Sequence, residues 1–283
     1  MAKVNEYHIL SNGVKIPSLG FGSWQSPDTD VTSEAMVTAI EAGYRHIDAA
    51  AVYGNEKSVG RGIKASGIKR EDLFLTSKVW NTEHGYQSTL NAFEQTINDL
   101  QVDYLDLYLI HWPVPHIFKD CYIEKNAETW EAMEKLYSEG KIKAIGISNF
   151  LPHHIEELMQ TAKVTPMINQ IEFHPSCLQE EVIPFCRNMG IAIEGYSPLA
   201  NGRVFQVEEL APIAAKYGKN VAQLCIRWSL EKGVVTIPKS VTRERIIENF
   251  NVFDFELTPE DTAFIDSITT CVGAGDNPDN IDF

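Results

Sequence analysis

The sequence predicts an α/β chain wound as a (β/α)8 TIM barrel, with an N-terminal β-hairpin closing the bottom. Three observations carry this. Eight short β-rich apolar runs are spread along 283 residues. Longer segments with helical spacing lie between them. Asn12-Gly13 stands between two short apolar runs ahead of the first. Alternation of this kind belongs to parallel sheets, because each crossover between parallel strands needs a helix-length connection. Eight repeats in a chain of this length suit a closed barrel.

The hairpin comes first, in "HILSNGVKI" at 8–16, where Asn-Gly supplies the positive φ angles of a tight turn. The eight runs follow: "SLGF" at 18–21, "HIDA" at 46–49, "LFLTSK" at 73–78, "YLDLYLIH" at 104–111, "AIGIS" at 144–148, "MINQI" at 167–171, "AIEGY" at 192–196 and "VVTIP" at 234–238. Leu90, Phe93, Ile97 and Leu100 recur at steps of three and four, as do Trp130, Met133, Leu136 and Tyr137. Each set makes one apolar stripe on a helix. Gly43 and Gly140 stand where helices end in a left-handed cap. Thr258 and Pro259 open the last helix as N-cap and first helical residue. The competing architecture is a doubly wound sheet. It is weakened because no G-x-G-x-x-G follows an early strand. No linker or internal repeat breaks the chain, so residues 1–283 are expected to form a single domain.

Composition narrows the partners. Apolar residues make up 44% and charged residues 22%, which is ordinary for a globular protein. The net charge of −15 argues against nucleic acid and against an anionic membrane surface. The cysteines, Cys121, Cys177, Cys186, Cys225 and Cys271, are odd in number and widely spaced. They suggest neither a disulfide framework nor a zinc site. The first residues hold no apolar signal segment, and no apolar run approaches the ~18 residues of a membrane helix. A cytoplasmic protein is expected, monomeric, with a dimer as the alternative.

In such a barrel the chemistry sits at the C-terminal ends of the strands. Asp48 ends the second run, Lys78 the third and His111 the fourth. Ser148 and Asn149 end the fifth, Gln170 the sixth, Tyr196 the seventh, and Lys239 with Ser240 the eighth. Singly, each has an ordinary explanation as a cap, a satisfied core residue or a solvated charge. Tyr53 alone would be a loop aromatic. Together they carry chemistry. A buried Asp48 needs a counter-ion, and Lys78 supplies one. An ammonium beside a phenol stabilises phenolate, so Tyr53 is expected below its ordinary ~10. Such a tyrosine can donate a proton near neutral pH. His111 can orient the substrate oxygen. The set suits proton delivery to a carbonyl oxygen. No side chain supplies a hydride, so a nicotinamide cofactor is expected. "IPKSVTRERIIEN" at 237–249 puts Lys239 and Ser240 at a strand end and Arg243 and Arg245 at a helix start, which suits a phosphate. His153 and His154 are adjacent rather than spaced as ligands, and HExxH is absent, so no metal is expected.

Several segments carry a family resemblance. They are "GYRHIDAAAVYGNEKSVG" at 43–60, "DYLDLYLIHWP" at 103–113, "GISNF" at 146–150, "NQIEFHP" at 169–175, "YSPL" at 196–199 and the 237–249 segment. In this order they resemble the aldo-keto reductases, and the short segment after Cys271, ending "NPDNIDF", looks like the tails of the microbial glyoxal, methylglyoxal and 2,5-diketogluconate reductases. The resemblance implies NADPH-dependent reduction of aldehydes and ketones, small carbonyls or dicarbonyls. It implies a catalytic tetrad of Asp48, Tyr53, Lys78 and His111, with Tyr53 as general acid. For the cofactor it implies Gly22, Ser23, Trp24 and Asp48 along one side. Ser148, Asn149 and Gln170 would hold the carboxamide, and Tyr196 would stack on the nicotinamide near Ser197 and Leu199. Lys239, Ser240, Val241 and Arg245 would take the 2′-phosphate, with Glu248 and Asn249 near the adenine. Trp24, Trp80, His111 and Trp112 would line the substrate pocket. Ala49 stands where many members carry Thr. The short segment after Cys271 implies an open pocket. The alternative reading is an NADP(H)-binding regulatory or sensor subunit with little turnover.

Overall fold

The computed structural model describes residues 6–271 and 276–283. The hairpin strands β1 (Tyr7–Ile9) and β2 (Lys15–Pro17) pair antiparallel. Asn12-Gly13 does turn the chain, but inside a longer loop over 10–14. Leu10 N–H donates to Val14 O at 2.8 Å, and Gly13 takes φ 87°. The Asn12 Oδ1 accepts from Val14 N–H at 3.1 Å, while its Nδ2 donates to Lys143 O at 2.9 Å. Lys143 lies just before a barrel strand, so the hairpin tip is docked at the N-terminal end of the barrel. Leu10 and Ile16 are buried there.

Eight parallel strands form the barrel: β3 (Phe21–Gly22), β4 (His46–Asp48), β5 (Phe74–Val79), β6 (Leu107–Ile110), β7 (Ile145–Ser148), β8 (Ile168–Glu172), β9 (Ala192–Tyr196) and β10 (Val235–Thr236). They pair in chain order. The ring closes between its first and last strands, where Gly20 N–H donates to Thr236 O and Thr236 N–H to Ser18 O, both at 2.9 Å. These closing strands are shorter than runs 18–21 and 234–238. Pro238 lacks an N–H, so regular pairing stops before it. All six residues of β5 are buried, as expected of a strand covered on both faces.

Among the described residues ten helices lie among the strands: α1 (Asp30–Ala42), α2 (Glu56–Ser66), α3 (Tyr86–Leu100), α4 (Tyr122–Ser138), α5 (Pro152–Leu158), α6 (Val182–Asn188), α7 (Leu210–Lys216), α8 (Val221–Glu231), α9 (Arg243–Phe250) and α10 (Pro259–Asp266). The stripes are where the spacing puts them. Phe93 and Leu100 are buried from α3, and Trp130, Met133 and Leu136 from α4. Gly43 caps α1 at φ 115°. Thr258 Oγ1 accepts from Asp261 N–H at 3.2 Å and so caps α10. Helix α2 packs backbone to backbone on the end of α3. A Cβ on Gly60 would lie 2.4 Å from Leu100 O. All five cysteines are free thiols. Among the described residues no helix is long and apolar enough to cross a membrane.

Candidate active site

Asp48 is the last residue of β4, and its register partner on β5 is Thr76. Lys78 lies two residues further along β5 and therefore shares Thr76's face. Its side chain is fully buried. The Nζ lies 2.7 and 2.8 Å from the two Asp48 carboxylate oxygens, 3.0 Å from Ala49 O and 3.2 Å from the Tyr53 hydroxyl. Tyr53 reaches it because residues 51–53 make a single 3₁₀ turn ended by Gly54 at φ 65°. Asn55 fixes the loop behind, its Nδ2 donating to Ser23 O at 2.8 Å and Ser26 O at 2.9 Å.

Burial works against the Lys78 charge, but Asp48 and Tyr53 outweigh it and hold the ammonium above the ordinary lysine value. Tyr53 departs from the sequence expectation. Burial pushes the phenol up to about 12, although Lys78 pulls it down; Asp48 and Glu194 push it up again. Burial is the main cause, and charge balance leaves it unopposed. Asp48 already neutralises the ammonium, which leaves little net positive charge to stabilise a phenolate.

His111 follows β6 and meets Tyr53 edge-on, with centroids 5.9 Å apart, and Trp80 at 5.1 Å. Burial, then Lys78 and His84, hold it well below the ordinary histidine value. The imidazole is neutral. Its Nδ1 is buried without a hydrogen-bond partner among the described residues. Asn149 Nδ2 donates to His111 O at 3.1 Å, tying β6 to β7.

The residues expected at the carboxamide are bonded to one another. Ser148 Oγ donates to Gln170 O at 2.9 Å, and Tyr196 OH donates to Asn149 Oδ1 at 2.9 Å. Gln170 turns its amide nitrogen inward, 2.8 Å from Asp48 Oδ2 and 2.9 Å from Glu194 Oε2. Its carbonyl oxygen is the end left for a ligand. Asn149 at φ 64° and Ser197 at φ 50° hold left-handed backbone at two strand ends. Each such residue costs about 1–3 kcal/mol, and such strain gathers at functional sites.

Ser23 Oγ donates to Asp48 O at 2.8 Å, which seats the 22–24 loop beside the pair. Gly22 is tight against the closing strand, and a Cβ there would meet Ile237 O at 3.2 Å. Lys239 Nζ donates to Gln25 O at 3.1 Å, and burial lowers its pKa. Ser240 Oγ accepts from Thr242 N–H at 3.1 Å. Arg243 is spent on Glu41 at 3.5 Å and on Thr38. Arg245 is exposed, and neither it nor Lys239 has an acidic partner among the described residues. Two unpaired cations and a hydroxyl, in a protein of charge −15, fit a phosphomonoester. Val241 is exposed, Leu199 is half-buried, and Asn249 is buried beside Glu248, whose Oε2 accepts from Asn220 at 3.2 Å.

At the substrate side Trp24 is exposed, Trp80 half-buried and Trp112 buried. Phe283 was not anticipated. Its ring stacks on Trp80 at 5.8 Å and meets Trp112 edge-on at 5.4 Å. Asn81 Nδ2 and His116 N–H both donate to its backbone oxygen, at 3.3 and 3.2 Å. The expectation of a pocket left open by a short tail is therefore corrected, because the tail supplies part of the wall. His153 and His154, though adjacent, both meet Asp279, at 2.8 and 3.0 Å. His154 Nδ1 accepts from Leu151 N–H, so the other nitrogen carries the proton towards Asp279. That contact ties the tail to α5.

Comparisons with known proteins bear on the family and the fold. The Aldo/keto reductase family profile matches residues 18–270. The chain is 50% identical over 274 residues to a glyoxal reductase of Bacillus subtilis (strain 168), covering 97% of this chain and 96% of that protein. Among solved structures it is similar to an aldo-keto reductase enzyme from a Medee basin deep-sea metagenome library. That match has a TM-score of 0.92 at 43% identity and covers 98% of this chain and 100% of the other. It is also similar to a Bombyx mori aldo-keto reductase in complex with NADP, with a TM-score of 0.88 at 35% identity, covering 97% and 98% of the two chains.

Proposed function

The chain belongs to the aldo/keto reductase family, and on that premise we propose that it reduces small aldehydes, ketones and dicarbonyls to alcohols with NADPH, using Tyr53 as general acid. One observation carries the reading. A fully buried ammonium, Lys78, is bonded at once to the Asp48 carboxylate and to the Tyr53 hydroxyl. On this reading residues 1–283 work as a single barrel domain.

A nicotinamide supplies the hydride when bound. Lys239, Ser240 and Arg245 would hold the 2′-phosphate beside Val241, with Glu248 and Asn249 at the adenine. Ser148, Asn149 and the Gln170 carbonyl oxygen would face the carboxamide. Tyr196 would cover the ring, with Ser197, Leu199, Gly22, Ser23 and Trp24 around it. Tyr53 donates its proton to the carbonyl oxygen as that oxygen gains charge. The phenolate left behind already faces Lys78 at 3.2 Å, so the charge forms against a fixed ammonium. Asp48 keeps that ammonium in place. Neutral His111 donates an N–H to the substrate oxygen without adding a second positive charge. Trp80, Trp112 and Phe283 exclude water and favour small substrates.

The test is a panel of α-dicarbonyls, aldehydes and ketoses scored by NADPH consumption. Turnover with glyoxal or methylglyoxal is expected. Cofactor binding without turnover on any of them would favour the sensor alternative. Discrimination for the 2′-phosphate must come from residues 239–245. Hydrogen bonds to charged groups contribute about 1.5–3 kcal/mol each, and about 1.4 kcal/mol is tenfold. The Lys239→Ala, Arg245→Ala double variant should therefore bind NADPH about a hundredfold more weakly and NADH almost unchanged. Titration by tryptophan quenching reads both. Equal losses for the two cofactors would move the phosphate elsewhere.

A further inference from the structure

We propose that Glu194 is a proton-carrying acid sealed inside the barrel, and that whether it holds its proton sets how strongly Tyr53 acts as an acid. The inference rests on the reading of Tyr53 as proton donor. Glu194 lies on β9 opposite Gln170 of β8 and has no exposed surface. The two protons of the Gln170 amide nitrogen go to Asp48 Oδ2 at 2.8 Å and Glu194 Oε2 at 2.9 Å. One amide thus holds two carboxyl groups side by side.

The interior cannot supply two counter-ions. Lys78 is spent on Asp48, with both carboxylate oxygens within 2.8 Å. The other basic group facing Glu194 is His46 of β4, whose Nε2 is 3.4 Å from Glu194 Oε1 and 3.1 Å from Thr76 Oγ1. An imidazolium there would be fully buried and would face the Lys78 ammonium. A second carboxylate beside Asp48 would be an unpaired buried charge. A neutral carboxylic acid avoids the unpaired charge. Its Oε2 accepts from Gln170, which leaves the proton to Oε1, an atom with no hydrogen-bond partner among the described residues and 3.4 Å from His46 Nε2. The electrostatics agree. Burial, then Asp48, push Glu194 up to about 8, and burial with Lys78 pushes His46 down to about 3.

The link to Tyr53 is continuous. Tyr53 bonds Lys78, Lys78 bonds Asp48, Asp48 bonds Gln170, and Gln170 bonds Glu194. The groups facing Glu194 are Asp48 and His46 from β4, Lys78 from β5 and Gln170 from β8. A negative Glu194 raises the proton affinity of Tyr53. Neutral Glu194 therefore leaves Tyr53 the better donor, and ionised Glu194 weakens it.

The test compares wild type with Glu194→Gln, which keeps the shape and the acceptor for Gln170 but cannot ionise. Wild-type kcat for carbonyl reduction should step down about three- to tenfold as pH rises through about 8, whereas Glu194→Gln stays on the upper plateau. A second readout needs no turnover. A folded-state pKa raised above the ordinary ~4.3 gives stability present below that value and lost as pH rises towards the folded value. The wild-type Tm should therefore fall relative to Glu194→Gln between about pH 4.3 and pH 8, and the gap should then level off. Parallel Tm curves, or the same kcat step in both proteins, would overturn the proposal. If the variant does not fold, infrared titration of the wild type decides, because a buried protonated carboxyl band must be present near neutral pH and vanish above about pH 9. No such band overturns it. An active Tyr53→Phe would instead sink the reading of Tyr53, while the Tm and infrared results would still report on Glu194.

Discussion

Tyr53→Phe should abolish turnover and leave NADPH binding intact. The substitution removes one hydroxyl. The ring keeps its edge contact with His111, and Lys78 keeps both Asp48 oxygens and Ala49 O. The fold should therefore hold. A positioned general acid contributes roughly a hundred- to ten-thousandfold in rate, and the loss should fall in that range, on kcat rather than on cofactor affinity. The cofactor contacts proposed above lie on other strands, so tryptophan quenching by NADPH should match wild type. Because burial pushes the phenol up to about 12, Tyr53 keeps its proton throughout the neutral range. It is a strongly held donor rather than a nearly ionised one. Its supply of protons does not run short at high pH. A near-normal kcat in the variant would remove Tyr53 from the mechanism.

The pairing of Tyr53 with Lys78 was legible in the sequence because Lys78 lies near the end of one barrel strand and Tyr53 in the loop after its neighbour. Parallel strands in chain order bring such positions to one rim. The sign of the Tyr53 shift was not legible, since it depends on how deeply the fold buries the phenol and then on how far Asp48 has already cancelled Lys78. Glu194 was not legible either. In "AIEGY" a charged residue between apolar neighbours reads as the solvent face of an alternating strand. Strands buried on both faces carry no such contrast. Glu194 points into the barrel, and only the register with Gln170 reveals it. Phe283 lies about two hundred positions from Trp80 in the chain, and no local pattern signals that contact. The last strand was read too long for a local reason, the proline at 238.

Lys78→Met should cost both activity and stability, although Lys78 does not itself transfer the proton in the proposed mechanism. Met fills much of the volume of the lysine stem, so the cavity left is small. What is lost is the charge. Asp48 has almost no exposed surface and is stranded with the Gln170 amide as its remaining donor. Breaking a buried pair by removing one partner costs about 3–5 kcal/mol. In the wild type Lys78 is held above the ordinary lysine value, so its contribution is complete at neutral pH and is lost only as pH rises beyond the lysine range. Denaturant melts at neutral pH therefore read the full deficit. A second variant completes the argument. Asp48→Asn combined with Lys78→Met removes both charges and should recover most of the stability, because a neutral replacement of a buried pair is often neutral or better. Activity should not return, since Tyr53 then gives up its proton with no ammonium facing the phenolate. If the single variant were as stable as wild type at neutral pH, the Asp48–Lys78 pair would not be the anchor of this site. If the double variant regained turnover, the phenolate would need no cation at all.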